Sequence, residues 1–227
     1  MQRTMSDSPD LAHAGRARTA AEPARVDAAF AQHREDPLAR FLNLLALARS
    51  EPRQLEPTAM SLATVGDDGR PSSRIVLLKD ADARGLTFFT NLDSHKGREL
   101  RAHPDAALLF HWQALELQIR FEGRATQVPD AEADAYFATR PRASQLGAWA
   151  SAQSHELSSR EALMQALQDA TQRFQGQDVP RPPRWGGFRL VPALIEFWRA
   201  DPARLHQREE YRREAIDARW TMRLLNP

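Results

Sequence analysis

Hydrophobic and polar positions change period several times along the 227 residues, and each change predicts an element. Asp36-Pro37 opens a helix with a capping acid ahead of a first-turn proline, and Leu38, Phe41, Leu42, Leu45 and Ala48 follow at helical spacing. From Thr58 the chain turns to short strands. Ala59–Val65 and Ser72–Leu78 flank Gly66-Asp67-Asp68-Gly69 and read as a hairpin, and Leu86–Thr90 follows. Ser94 caps a short helix that stops before Pro104. Ala106–Trp112 and Leu115–Val128 are strands. Helices then start at Asp130, at Pro141 and at a Ser158/Glu161 capping box. Strands return at Gly187–Val191, Leu194–Trp198, Arg204–Arg212 and Arg219–Leu224. Strands cluster on both sides of a helical insertion without βαβ alternation. The order predicts an α+β protein, mainly β, with an antiparallel barrel and helices packed outside it.

Composition narrows the chemistry. A net charge of +1 argues against a bulk nucleic-acid binder. The absence of cysteine excludes disulfides, thiolate metal sites and cysteine nucleophiles and fits a cytoplasmic protein. No apolar run reaches the roughly 20 residues that span a bilayer. Residues 1–35, rich in Ala, Arg, Ser and Pro, read as a disordered tail, and residues 36–227 as one domain. Glycine-loop nucleotide motifs and metalloprotease or nucleophile-elbow motifs are all missing.

Three polar islands remain. In Arg74-Ile75-Val76-Leu77-Leu78-Lys79, cations end an apolar strand. If that strand is buried, an unpaired charge is costly, and an anionic ligand is expected beside it. Ser94-His95-Lys96 sets a histidine and a lysine at a helix start, where free N–H groups attract phosphate. Tyr136 and Arg140 lie four apart before Pro141, and Ser144 sits in the first turn of the next helix, so one corner can present a phenol, a guanidinium and a hydroxyl to one anion. Near the C-terminus Arg204, His206 and Arg208 alternate and would share a strand face.

In order, R-I-V-L-L-K, F-x-T-N-x-x-S-x-K-G-R-E-L, R-P-R-x-S-Q-x-G-A-W-A-S-x-Q-S, W-G-G-F-R, E-F-W, R-L-H-x-R and R-L-x-x-P resemble the pyridoxamine (pyridoxine) 5′-phosphate oxidase family. The resemblance implies a split β-barrel homodimer with FMN in sites shared between subunits. The implied FMN contacts are Arg74, Ile75, Val76, Leu77, Leu78, Lys79, Phe89, Thr90, His95, Lys96, Gln118, Gln153, Ser154, Trp198 and Arg208. The substrate, a phosphorylated B6 vitamer, would rest its phosphate among Lys79, Tyr136, Arg140 and Ser144. Arg204 and His206 would be the catalytic pair over its ring, and dioxygen would reoxidise the flavin. The chain departs from the family pattern at His95 and Leu117, each in place of an arginine, and at Gln207 in place of an aspartate. It also has no clear match to the N-terminal Arg-x-x-Tyr segment. Two alternatives stand beside the oxidase: a same-fold flavin oxidase acting on another reduced ring of phenazine type, and a non-catalytic flavin or pyridoxal-phosphate carrier.

Overall fold

The computed structural model describes residues 21–227. Helices α1 (Ala21–Ala31) and α2 (Pro37–Ser50) lead into strands β1 (Ala59–Val65), β2 (Pro71–Leu77), β3 (Asp80–Asp82) and β4 (Gly85–Asn91). Helix α3 (His95–Ala102), strands β5 (Asp105–Trp112) and β6 (Leu117–Gln127), and helices α4 (Asp130–Ala138), α5 (Arg142–Ala150) and α6 (Arg160–Arg173) follow. Strands β7 (Trp185–Arg199), β8 (Gln207–Arg212) and β9 (Thr221–Leu224) close the chain.

Every pairing is antiparallel, in the order β2-β1-β5-β6-β7-β4-β3, with β8 on β7 and β9 on β8. The long strand β7 makes this possible. One edge runs beside β6, while the other pairs first with β4 through residues 185–190 and then with β8 through residues 194–199. The sheet curls into a split barrel, and the expected α+β architecture with peripheral helices is what forms. Leu117, Ile119 and Phe121 alternate inward on β6 and meet Phe41, Phe110 and Trp112 in the core. Asp36 caps α2 as expected, accepting from the N–H groups of Leu38 and Ala39.

Several elements differ from the sequence reading. The strands expected at 187–191 and 194–198 are one strand, because Pro192 falls at an irregularity beside the Glu122/Gly123 bulge and does not end the pairing. The cap of α6 is Ser159, whose side chain accepts from the Ala162 N–H. Part of the expected tail, Ala21–Ala31, is helical: Val26 and Phe30 are buried, and Arg40 lies between the Phe30 and Phe197 rings. The first 20 residues of that tail lie outside the described residues. Finally, β2 is a half-exposed edge strand, with Ile75 65% exposed, so burial of the strand is not what singles out its cations. Among the described residues no helix is long and apolar enough to cross a membrane, and no cluster suited to a metal ion occurs.

Candidate active site

The three islands converge on one cavity of about 450 Å³, lined by residues of β2, β4, α3 and α5 together with Lys79, Arg140, Gln153 and Trp185. Local chemistry explains how α3 reaches it. Ser94 caps the helix, accepting from the Gly97 N–H at 3.3 Å and donating to the Asn91 carbonyl at 2.6 Å. A Cβ at position 97 would lie 2.2 Å from the Leu92 carbonyl oxygen, so only glycine lets the first turn of α3 press against the end of β4. That contact holds Lys96 over the cavity.

Lys96 is half-buried, and its Nζ donates to three neutral oxygens: Gln153 Oε1 at 2.9 Å, Thr90 Oγ1 at 3.0 Å and Ser94 Oγ at 3.3 Å. Desolvation, reinforced by the nearby Arg74 guanidinium, lowers its pKa to about 8. A lysine held this way, with no carboxylate among its hydrogen-bond partners, is a seat for an anion.

Arg140 is the second such cation. It sits just beyond α4, its guanidinium carbon 4.8 Å from the Trp185 ring centroid and 5.4 Å from that of Phe137. Its buried Nη1 has no hydrogen-bond partner, and burial lowers its pKa. Ser144, in the first turn of α5, and Lys79 line the same cavity. Tyr136 does not line the cavity; from α4 it stacks behind Phe89, centroids 4.1 Å apart and planes 12° apart, and Phe89 stacks in turn on Trp185 at 5.3 Å. Phe89 faces Gly187 in the register, where a Cβ would come within 2.6 Å of the ring. Ile75, Val76, Leu77 and Thr90 complete the predicted residues of this wall. Leu78 is buried in the core.

Other expected residues lie elsewhere in the chain. Arg74 is turned to Glu99, with Nη2 3.1 Å from Oε2, and His95 Nε2 is 2.7 Å from Glu99 Oε1; neither lines the cavity. Ser154 is exposed in a turn with φ 69°. Gln118, Trp198 and Arg208 line a separate cavity of about 300 Å³, where Glu196 bridges Arg120 and Arg208.

The expected alternation of Arg204, His206 and Arg208 does not hold. Strand β8 begins at Gln207, and Arg204 is in a turn with φ 65° and its N–H bonded to the Asp201 carbonyl. His206 instead packs beside Trp198, centroids 4.6 Å apart, and its Nδ1 accepts from the Asp201 N–H. A neutral ring in that arrangement carries its proton on Nε2. The Asp201-Pro202 turn explains the change, because it turns the chain before pairing resumes.

Asn91, Gly147, Ala148, Ser151 and Trp185 also line the main cavity and were not singled out as contacts, although W-G-G-F-R and G-A-W-A-S carried the signal for four of them. Glu99 is the glutamate of K-G-R-E-L and was not singled out. A larger groove of about 930 Å³, lined by residues of β1, β5, β6 and β7 and by the segment from Arg212 to Thr221, includes none of the island residues.

A curled antiparallel sheet with a cavity suited to phosphate beside an aromatic stack defines a split-barrel protein with a site for a phosphorylated ligand. The family model described as "Pyridoxamine 5′-phosphate oxidase" matches residues 46–174, and "Pyridoxine 5′-phosphate oxidase C-terminal dimerisation region" matches residues 185–227. Pyridoxine/pyridoxamine 5′-phosphate oxidase of Myxococcus xanthus (strain DK1622) is 56% identical over 192 residues, covering 85% of this chain and 92% of that protein. The protein of the same name from Rhodopseudomonas palustris (strain TIE-1) is 53% identical over 194 residues, covering 85% of this chain and 91% of that protein. Among solved structures, PhzG from Burkholderia lata 383, in complex with tetrahydrophenazine-1-carboxylic acid, superposes with a TM-score of 0.80 at 36% identity, over 86% of this chain and 95% of PhzG. A pyridoxamine 5′-phosphate oxidase-related, FMN-binding protein from Nostoc punctiforme shares the fold at a TM-score of 0.64 and 20% identity, over 81% of this chain and 96% of that one. The chain belongs to the pyridoxamine 5′-phosphate oxidase family, as its motifs implied.

Proposed function

We propose that the protein oxidises pyridoxamine 5′-phosphate or pyridoxine 5′-phosphate to pyridoxal 5′-phosphate with FMN, dioxygen and release of hydrogen peroxide. The observation that carries the reading is a single cavity holding two half-buried cations, Lys96 and Arg140, with no carboxylate hydrogen-bonded to either. Two phosphorylated ligands side by side would satisfy both.

Lys96, with Thr90 and Gln153, would hold the FMN phosphate, the N-terminus of α3 adding its N–H dipoles. Bound FMN would supply the redox chemistry, accepting a hydride equivalent from substrate and passing its electrons to dioxygen. Arg140, Lys79 and Ser144 would bind the substrate phosphate, with Tyr136 held at their side by its stack on Phe89. Gln118, Trp198, Arg208, Arg204 and His206 lie too far round the sheet to join this cavity within one chain. In a homodimer, a second copy would bring its own set to complete the site, and the match of residues 185–227 to a dimerisation region supports that arrangement. His206, its Nδ1 engaged by the Asp201 N–H, would present Nε2 to the substrate ring.

PhzG's ligand supports a second reading, a flavin oxidase acting on a reduced phenazine-type ring. Arg140 and Ser144 favour the first, because a substrate without phosphate would leave the guanidinium unanswered. The test is to purify the protein, record its visible spectrum and add pyridoxamine with and without its phosphate in air. A yellow protein that forms aldehyde and peroxide only from the phosphorylated vitamer is expected. Equal turnover of both overturns the assignment, and a flavin-loaded protein with no turnover at all points to a carrier.

A further inference from the structure

Glu99 is 6% exposed and is the most densely bonded carboxylate beside the cavity. Thr64 Oγ1 donates to its Oε2 at 2.6 Å, and Ser72 Oγ lies 2.8 and 2.9 Å from its two oxygens. Arg74 Nη2 donates to Oε2 at 3.1 Å, and His95 Nε2 is 2.7 Å from Oε1. The same two hydroxyls also accept from Arg74, Thr64 from Nη1 and Ser72 from Nη2 at 2.5 Å. Arg74 is therefore held by one constellation drawn from β1, β2 and the last turn of α3.

Desolvation by itself would push the Glu99 carboxyl up, but these hydrogen bonds override it and hold the pKa at about 2. The acid is an anion at all working pH values. Across α3, Arg74 is close enough to Lys96 to disfavour its proton. The two cations repel each other, and the fixed carboxylate behind Arg74 offsets that repulsion.

We infer that Glu99 is a positioning residue for the flavin phosphate: through Thr64, Ser72 and Arg74 it ties helix α3, with Lys96, to the β1–β2 hairpin. The inference rests on the proposed FMN site and adds to it a residue that touches neither ligand.

The competing expectation is electrostatic. Removing a carboxylate near an anion site raises the local positive potential, and on that ground alone Glu99→Gln would tighten FMN. The positioning role predicts the opposite sign. FMN and riboflavin affinities are measured by flavin fluorescence quenching in the native protein, Glu99→Gln, Arg74→Ala and the double variant. Glu99→Gln is expected to weaken FMN at least tenfold and leave riboflavin, which has no phosphate, within twofold. In the Arg74→Ala background the same change is expected to cost less than threefold. Thr64→Val, nearly isosteric, supplies a second test should Glu99→Gln fold poorly, with an expected threefold loss that also vanishes without Arg74. Unchanged or tighter FMN binding in Glu99→Gln, equal losses for FMN and riboflavin, or losses that simply add to that of Arg74→Ala each overturn the inference while the FMN site stands. A native protein that binds no FMN removes the proposed function and this inference together.

Discussion

At the helix-lined cavity, Lys96 and Arg140 face neutral oxygens and aromatic rings. On β7 and β8, three glutamates each hold two guanidinium groups: Glu196 those of Arg120 and Arg208, Glu209 those of Arg34 and Arg40, and Glu210 those of Arg212 and Arg223. Both regions are rich in cations, and both bury part of that charge. The difference lies in who supplies the anion. In the β7–β8 region the chain supplies its own, so those cations work as internal cross-links. To Lys96 and Arg140 it supplies none, and their charge is compensated only when a ligand arrives. A buried cation is therefore informative about function only after its partners are known. Arg208 shows the point: its place in R-L-H-x-R implies a flavin contact, yet its Nε is 2.7 Å from Glu196, which raises its pKa.

The sharpest way to break the comparison is to leave a cation held by β8 unanswered. Arg40 is wholly buried, so Glu209→Ala should destabilise the fold by roughly 3–5 kcal/mol, the usual cost of stranding one partner of a buried pair. Chemical denaturation checks this, and flavin affinity in the folded variant should stay within twofold of native. Next is Arg140→Ala, expected to lower kcat/KM for the phosphorylated substrate about 10²-fold, close to 3 kcal/mol, with flavin content near normal. Steady-state kinetics and the visible spectrum of the same preparation separate the two effects. Lys96→Ala should weaken FMN by roughly 1–3 kcal/mol, as for a charge-assisted hydrogen bond left unmade, and unchanged affinity in a titration would remove Lys96 from the site.

A pH series sharpens the same contrast. The free-protein pKa of Lys96 is lowered to about 8, so above that pH the empty site has lost the proton that an anion needs. FMN affinity should be flat below pH 8 and fall above it, by up to about tenfold per unit until the pKa of the complex is passed. Lys96→Arg should abolish that decline. The smallest effect is expected from His95→Arg. The imidazole is largely exposed and turned to Glu99, outside the cavity wall, so FMN affinity should change less than threefold across neutral pH. A marked tightening above neutral pH would instead place position 95 on the phosphate.

Much of this was legible in the chain itself. Capping at Asp36 and Ser94, the β1–β2 hairpin and the inward alternation of β6 depend on residues close in sequence, where propensity and periodicity act directly. The convergence of Lys79, Lys96, Arg140 and Ser144 was legible through the motif order. Local pattern by itself could not have joined segments some 65 residues apart. The partners were not legible at all. Nothing near Glu99 announces that it will gather Thr64, Ser72, Arg74 and His95, because three of those four arrive from the hairpin only once α3 has docked. Nor could alternation place Arg204, since a turn at Asp201-Pro202 and a left-handed residue override a period of two. Sequence by itself determined which residues are charged, which helices are capped and which strand faces are apolar, since these follow from neighbours along the chain. Tertiary structure alone decided which cations meet a carboxylate and which are left for a ligand, because a charge is neutralised across space by whatever the fold brings within about 4 Å.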